Sequence, residues 1–156
     1  MRNPAPVAAL PGTASPAAAA CPVLGALTVV GDFWTMGVLR CVFTGMGRFG
    51  EIQRELGVAS NVLTDRLGRL VDARVLARVA ERAGAARHRY VLTPAGEDLG
   101  AVLIALRSWG EQHVVTGPVS TTWRHTGCPS PLRAEVRCPD CGAAPALREV
   151  EVAHTR

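Results

Sequence analysis

The sequence contains no lysine, so all 17 of its basic side chains are arginines. It has no apolar run approaching the ~18 residues of a membrane-spanning helix, which excludes a spanning segment by that criterion. No internal repeat or Walker-type phosphate loop is present. Because nucleophile–base spacings and paired carboxylates are also missing, the sequence offers no catalytic site, and we do not expect an enzyme.

Length and composition instead favour a folded binding protein. The chain has 156 residues, of which 48% are hydrophobic and 19% charged, enough for one ordinary domain with appendages and too apolar for wholesale disorder. The net charge of +4 is concentrated in residues 48–89, which hold nine arginines and five acids, while the remaining residues are neutral in sum. A basic region of this kind indicates a polyanionic partner.

The N-terminus and the cysteines bear on the cellular compartment. Residues 1–20 contain eight alanines and four prolines, which predict a disordered tail and interrupt the apolar stretch that a secretory signal needs. Five cysteines remain, including a Cys138-Pro-Asp-Cys141 pair. In a chain without an export signal this pattern favours metal or redox chemistry over structural disulfides. We therefore expect a cytoplasmic protein.

Apolar residues recur at helical spacing from residue 21 onward and predict four helices. Asp32 is a candidate N-cap of the second helix, and Gly57 a candidate C-cap of the third. The apolar faces are Leu24, Leu27 and Val30, then Trp34, Val38, Cys41 and Val42, then Phe49, Ile52 and Leu56, and finally Leu63, Leu67, Leu70 and Val71. The third and fourth helices, joined by a three-residue turn, have the dimensions of a helix-turn-helix.

The pattern then changes period. Residues 75–80 and 87–92 read as two strands around Gly84, forming a β-hairpin with a basic tip. Thr93-Pro94 supplies an N-cap and a first-turn proline for a last helix of about 20 residues. The predicted fold is therefore mainly α with a small β-hairpin, which is the winged helix-turn-helix.

The fourth helix and the hairpin carry the candidate DNA contacts. Opposite its apolar face, the helix presents Asn and Arg side chains, whose paired donors and acceptors suit the edges of adenine and guanine. The predicted DNA-binding residues are Arg48, Ser60, Asn61, Thr64, Asp65, Arg66, Arg69, Arg82, Arg87, His88 and Arg89. The alternative is a solvated face with an Asp65–Arg69 pair, beside arginines that serve only solubility.

At this point the sequence resembles the HxlR-type family of bacterial winged-helix transcription regulators, close to the MarR family. The matching segments span about residues 21–115 and run in order along the chain. They are Cys21-Pro22-Val23, Gly31-Asp32-Phe33-Trp34-Thr35, Val38-Leu39-Arg40, Arg48-Phe49-Gly50-Glu51-Ile52, Ser60-Asn61-Val62-Leu63-Thr64-Asp65-Arg66-Leu67, His88-Arg89-Tyr90-Val91-Leu92-Thr93-Pro94-Ala95-Gly96 and Ala105-Leu106-Arg107-Ser108-Trp109-Gly110. One departure is Asp32-Phe33, where relatives often carry Gly-Lys; it removes a positive charge and weakens one expected phosphate contact.

The resemblance implies a DNA-binding homodimer formed by the first and last helices of a domain at residues 21–115. Dimerisation also follows from size, because a single recognition helix buries little surface and two-fold pairing doubles the site. The predicted interface residues are Leu24, Leu27, Val102, Leu103, Leu106 and Trp109. The alternative is that the apolar stripe of the last helix packs within its own chain.

Two cysteines in the domain have different expected roles. Cys21 lies at or just before a helix N-terminus, where the helix dipole favours the thiolate. Some HxlR-type members sense oxidants or electrophiles through a cysteine at this place, so Cys21 is a candidate redox sensor, the alternative being a passive small residue. Cys41 shares the apolar face of the second helix and is expected to be inert core.

The C-terminal segment, residues 116–156, predicts a short zinc-ribbon-like tail. His125-x2-Cys128 and Cys138-x2-Cys141 form two pairs of zinc ligands separated by a segment too short to build a core. His154 or water could replace His125. A flexible tail with redox-active thiols is the alternative to a structural zinc ion.

Two functions from different classes follow. The first is a sequence-specific transcriptional regulator of the HxlR type that binds operator DNA as a homodimer and requires no cofactor for it. The second is a winged-helix protein-interaction module with a zinc-stabilised tail and weak DNA binding. They differ in salt dependence and sequence preference, because a regulator binds one promoter segment far more tightly than random DNA.

Overall fold

The computed structural model describes residues 21–82, 87–119 and 121–151. The predictions for the N-terminal tail at residues 1–20, for the hairpin tip at Gly84 and for His154 lie outside these ranges. The elements are helices α1 Pro22–Val30, α2 Phe33–Phe43, α3 Phe49–Leu56 and α4 Ser60–Asp72, strands β1 Leu76–Ala80 and β2 His88–Leu92, helices α5 Pro94–Asp98 and α6 Gly100–His113, and a 3-10 helix at Leu147–Glu149.

The chain divides into two compact units between Gly100 and Ala101. In the first unit, α2 packs on α3 and α4, and α4 packs on β1. Their inward faces form one apolar core, because the helical and strand periods place those side chains on the same side. The largest fully buried side chains are Val38, Leu39, Cys41, Ile52, Leu63, Leu67, Leu70, Val75 and Leu76. The predicted inner faces of the second and fourth helices are confirmed except at Trp34 and Val71, which are half-buried.

The helix-turn-helix is formed by α3 and α4. Helix α3 ends at Gly57, whose φ of 62° is left-handed and whose N–H donates to the Gln53 carbonyl at 2.9 Å. Val58, in the turn, is buried, and α4 begins at Ser60. The predicted C-cap and three-residue connection are confirmed, and the buried turn residue ties the connection to the core.

The hairpin is antiparallel, with Leu76 paired to Leu92 and Ala80 paired to His88. Each strand is one residue shorter than predicted, at its first residue. The Tyr90 N–H donates to the Gly47 carbonyl at 2.7 Å, so β2 is hydrogen-bonded to the segment just before α3. This contact attaches the hairpin to the helix-turn-helix.

The helix after the hairpin differs from the prediction, because it is interrupted at Leu99. Thr93 caps α5 as expected, since its Oγ1 accepts from the Gly96 N–H at 3.2 Å. The Leu99 N–H then bonds to the Gly96 carbonyl, three residues back, in a tighter turn than an α-helix. The continuous helix of about 20 residues is therefore two helices, α5 and α6.

The second unit contains most of α6 and an extended tail. Arg107 pairs with Glu111 at 2.5 Å, donates to the Thr121 carbonyl at 2.8 Å and lies 5.6 Å from the centre of the Trp123 ring. The Leu132 N–H donates to the Trp123 carbonyl, so the chain turns back on itself between these residues. Arg107 thus fixes the start of the tail to the helix that precedes it.

Candidate nucleic-acid interface

Helix α4 presents a polar face to solvent. Leu63 and Leu67 are 1% exposed, whereas Asn61, Thr64 and Asp65 are exposed on the opposite side. Ser60, at the first turn, is also exposed. A helix held by one face and open on the other in its N-terminal half has the orientation of a recognition helix. The exposed polar face is confirmed, and contact between these residues and DNA stays a prediction.

Among the predicted DNA-binding residues, Arg66 has a side chain that is already bound to two carboxylates of the protein. Its side chain is 23% exposed, and its Nε donates to Asp32 Oδ2 at 2.5 Å. Its Nη1 donates to Asp65, so the solvated Asp65–Arg69 pair is replaced by a pair between neighbours. Arg69 is half-buried. Because Arg66 is committed to two carboxylates, its geometry suits positioning of α4 better than reading of a base.

Asp32 connects two parts of this surface. Its Oδ1 accepts from the Thr35 N–H at 2.9 Å, which confirms the predicted N-cap of α2. Burial alone would raise the pKa of Asp32, but the Thr35 N–H and the Arg66 guanidinium hold that pKa below its usual value. Asp32 belongs to the Asp32-Phe33 pair that stands in place of the expected Gly-Lys. Here it has a structural role, because it caps α2 and binds Arg66 of α4.

Arg48 sits where α3 meets the hairpin. Its N–H donates to Glu51 Oε2 at 3.1 Å, which caps the first turn of α3. Its guanidinium donates to Glu81, at the end of β1, and this hydrogen bond holds the pKa of Glu81 below its usual value. Arg48 therefore links the hairpin to the helix-turn-helix while its side chain remains 62% exposed.

The described hairpin residues form a basic surface. Arg82, Arg87 and Arg89 are exposed, as predicted. His88 is half-buried, with Nδ1 3.4 Å from Arg78 Nη2. The exposed arginines suit contact with phosphates, since their charge attracts any DNA sequence equally.

Sequence reasoning missed the contacts that hold this surface in place. The pairs Asp32–Arg66 and Arg48–Glu81 join residues 34 and 33 positions apart. Thr93 Oγ1 also donates to the Arg74 carbonyl at 2.6 Å, across the hairpin. Periodicity detects only near neighbours, so no pattern in a single sequence could have found these partners.

Two helices carry exposed apolar faces. On α1, Leu24 is 43% and Leu27 53% exposed. On α6, Val102, Leu106 and Trp109 share one helical face and are 44–59% exposed. Leu103 is the exception among the predicted interface residues, because it is only 7% exposed within one chain. It is a core residue, and the α6 face does not include it.

The two cysteines of the first unit are at the positions predicted from the sequence. Cys21 is the N-cap residue of α1 and is half-buried. Cys41 is fully buried, and burial raises the pKa of its thiol, which suits an inert core residue. Oxidation of Cys21 stays a prediction.

The tail brings its candidate ligands together in pairs. His125 Nδ1 lies 3.3 Å from Cys128 Sγ. In the second pair, hydrogen bonds from the Cys141 and Asp140 N–H groups and from the Cys141 thiol hold the pKa of the Cys138 thiol below its usual value. Within the described residues, no three such side chains converge on one point. The four-ligand cluster stays a prediction.

Comparison with known proteins identifies the family. The sequence model of the HxlR-like helix-turn-helix family matches residues 29–117, more than half of the chain. The chain belongs to this family. It is 36% identical over 127 residues to Rv3095 of Mycobacterium tuberculosis, an uncharacterized HTH-type transcriptional regulator, with 80% of each chain covered.

Two solved structures resemble this HxlR-like protein. The crystal structure of PA1607, a candidate transcription factor, is 35% identical with a TM-score of 0.79 and covers 88% of this chain and 96% of its own. The reduced form of the redox regulator HypR is 26% identical with a TM-score of 0.54 and covers 59% and 92%. The HxlR-type resemblance is thereby confirmed, and the relatives' names are those of transcriptional regulators rather than enzymes.

Within the described residues, no single helix is long and apolar enough to cross a bilayer. Helices α1 and α2 have the necessary length and hydropathy only when taken together, and a bend of 79° separates them.

Proposed function

We propose that this HxlR-like protein is a sequence-specific transcriptional regulator that binds operator DNA as a homodimer. The observation that carries the proposal is the exposed polar face of α4, backed by buried leucines, in the second position of a helix-turn-helix. Asn61 lies on the exposed N-terminal half of α4, where the amide can pair with an adenine edge. The arginines of the hairpin lie along the DNA backbone and supply affinity without sequence preference.

The ion pairs around α4 support this assignment. Arg66 on Asp32 fixes the helix against α2, and Arg48 on Glu81 fixes the hairpin against α3. A binding surface discriminates between bases only when its side chains are held in place, because loose groups fit several sequences equally well. The two pairs serve that positioning.

A second copy of the chain is the proposed cover for the exposed apolar faces of α1 and α6. Exposed side chains of this size lower the solubility of a monomer, and a two-fold interface removes them from water. The dimer also supplies two recognition helices, which match two half-sites about one helical turn apart.

Footprinting over the DNA upstream of the protein's own gene tests the proposal. We expect two protected half-sites about one helical turn apart, with affinity that falls steeply as salt rises. Random DNA of equal length is the control and is expected to bind at least about 1,000-fold more weakly. Equal, weak binding to both DNAs would instead favour the protein-interaction module.

The dimer is tested by Leu106→Glu. A charge on this exposed α6 position leaves the core intact but prevents a second copy from covering it. We expect the sedimentation coefficient to fall to that of a monomer, and operator binding to weaken. Val136→Glu is the control, because Val136 is exposed in the tail. A Leu106→Glu protein that remains dimeric would place the interface elsewhere.

A further inference from the structure

The tail contains two local turns that each bring a pair of metal-binding side chains together. In the first, the Cys128 N–H donates to the His125 carbonyl at 2.9 Å, and Gly127 adopts a left-handed φ of 84°. His125 Nδ1 and Cys128 Sγ are then 3.3 Å apart. Two ligands of one tetrahedral zinc ion, at bond lengths near 2.0 and 2.3 Å, lie about 3.5 Å apart. The pair already has the spacing of two zinc ligands.

The second turn is also closed by backbone hydrogen bonds and contains a left-handed glycine. The Gly142 N–H donates to the Cys138 carbonyl at 2.9 Å, and the Cys138 N–H donates to the Ala143 carbonyl at 2.8 Å. Gly142 follows the second cysteine with a φ of 72°, which an L side chain rarely adopts. Arg137 Nη1 donates to the Gly142 carbonyl at 2.9 Å and fixes the turn from outside. Both thiols are thus presented from one tight loop.

Among the described residues of the tail, no buried apolar side chain holds these turns together. No described residue between 121 and 151 is buried, and Val136 and Leu147 are 76% and 89% exposed. A segment of this length without a core cannot offset the entropy of ordering its backbone. Small segments of this kind commonly obtain the missing free energy from a bound metal.

We propose that His125, Cys128, Cys138 and Cys141 bind one Zn²⁺ per chain and that the ion draws the two turns together. Three thiolates and one imidazole form the ligand set that zinc takes in closed tetrahedral sites. The nine residues between Cys128 and Cys138 can span about 30 Å when extended, so they allow the turns to meet. All four proposed ligands belong to the second unit, and the metal proposal does not depend on the proposed DNA binding.

Cobalt titration of the full-length reduced protein, after removal of metal by a chelator, tests the site. Co²⁺ is expected to bind once per chain, with intense visible bands of tetrahedral geometry and a thiolate charge-transfer band. Equimolar Zn²⁺ should displace it. Binding should also slow hydrogen exchange in residues 121–151 and leave residues 21–82 unchanged.

Variants assign the ligands. Cys128→Ser and Cys138→Ser, one from each turn, should each weaken Co²⁺ binding by at least about 100-fold, because a neutral hydroxyl replaces a thiolate. His125→Ala should shift the cobalt bands while retaining the charge-transfer band. Cys21→Ser is the matched control and should titrate like the wild type. Normal cobalt binding by Cys128→Ser or Cys138→Ser, or an equally protected tail without metal, would overturn the proposal.

Discussion

The polar face of α4 and the two turns of the tail both present side chains with binding chemistry, but they are held by different means. The opposite face of α4 consists of leucines that are at most 1% exposed, and Arg66 is paired with Asp32. Behind the tail turns there is no buried residue within 121–151, and the turns are held by local backbone hydrogen bonds and by the Arg137 side chain, which donates to the Gly142 carbonyl. The first surface is therefore organised before any partner arrives, whereas the second is expected to gain order from its ligand.

The largest effect that this difference predicts is on stability. Leu70→Ala truncates a fully buried side chain on the inner face of α4 and should lower the free energy of unfolding by about 2–5 kcal/mol. Leu147→Ala, at an 89% exposed position of the tail, should change it by no more than about 0.5 kcal/mol. Chemical denaturation followed by circular dichroism measures both. Equal losses would mean that the tail is supported by a core after all.

A smaller effect concerns the link between α2 and α4. Asp32→Ala removes an N-cap and should cost about 1 kcal/mol at pH 7. Asp32→Asn keeps a capping oxygen and loses only the partly exposed pair with Arg66, so it should cost about 0.2–1 kcal/mol. Denaturation at pH 7 separates the two variants.

The same pair has a defined pH dependence. Because the folded state holds the pKa of Asp32 below its usual 3.8, the carboxylate contributes stability above that pH and loses it as the pH falls through the lower, folded-state pKa. The difference between wild type and Asp32→Asn should therefore vanish in strong acid. A difference that grows on acidification would contradict the assignment.

Local features of the first unit could be predicted from the sequence, whereas contacts between distant residues could not. The helices, the Gly57 turn and the hairpin were predictable because periodicity and caps are local properties. The interruption at Leu99 was not, because Leu99, Val102 and Leu106 recur at uninterrupted helical spacing in the sequence. The positions of Arg66 and Arg48 depended on partners more than 30 residues away, which converted two predicted DNA contacts into residues that also hold the surface in place.

A further predicted effect distinguishes the thiols of the two regions. Cys21, the N-cap residue of α1, is our candidate redox sensor, and the structural likeness to the redox regulator HypR supports testing it. Mild oxidation is expected to change operator affinity severalfold and reductant to restore it. Cys21→Ser should abolish this response, whereas Cys138→Ser should retain it. An unchanged response in Cys21→Ser would leave Cys21 with a structural role only.

The central claim, that α4 reads the operator and the hairpin contacts its backbone, is tested most directly by comparing two variants on operator and random DNA. Asn61→Ala should lose about 1–3 kcal/mol of binding free energy on the operator and almost none on random DNA. Arg87→Ala should weaken binding to both DNAs about equally and reduce the salt dependence by about one counterion. If Asn61→Ala instead weakened both equally, or neither, α4 would not be the recognition helix.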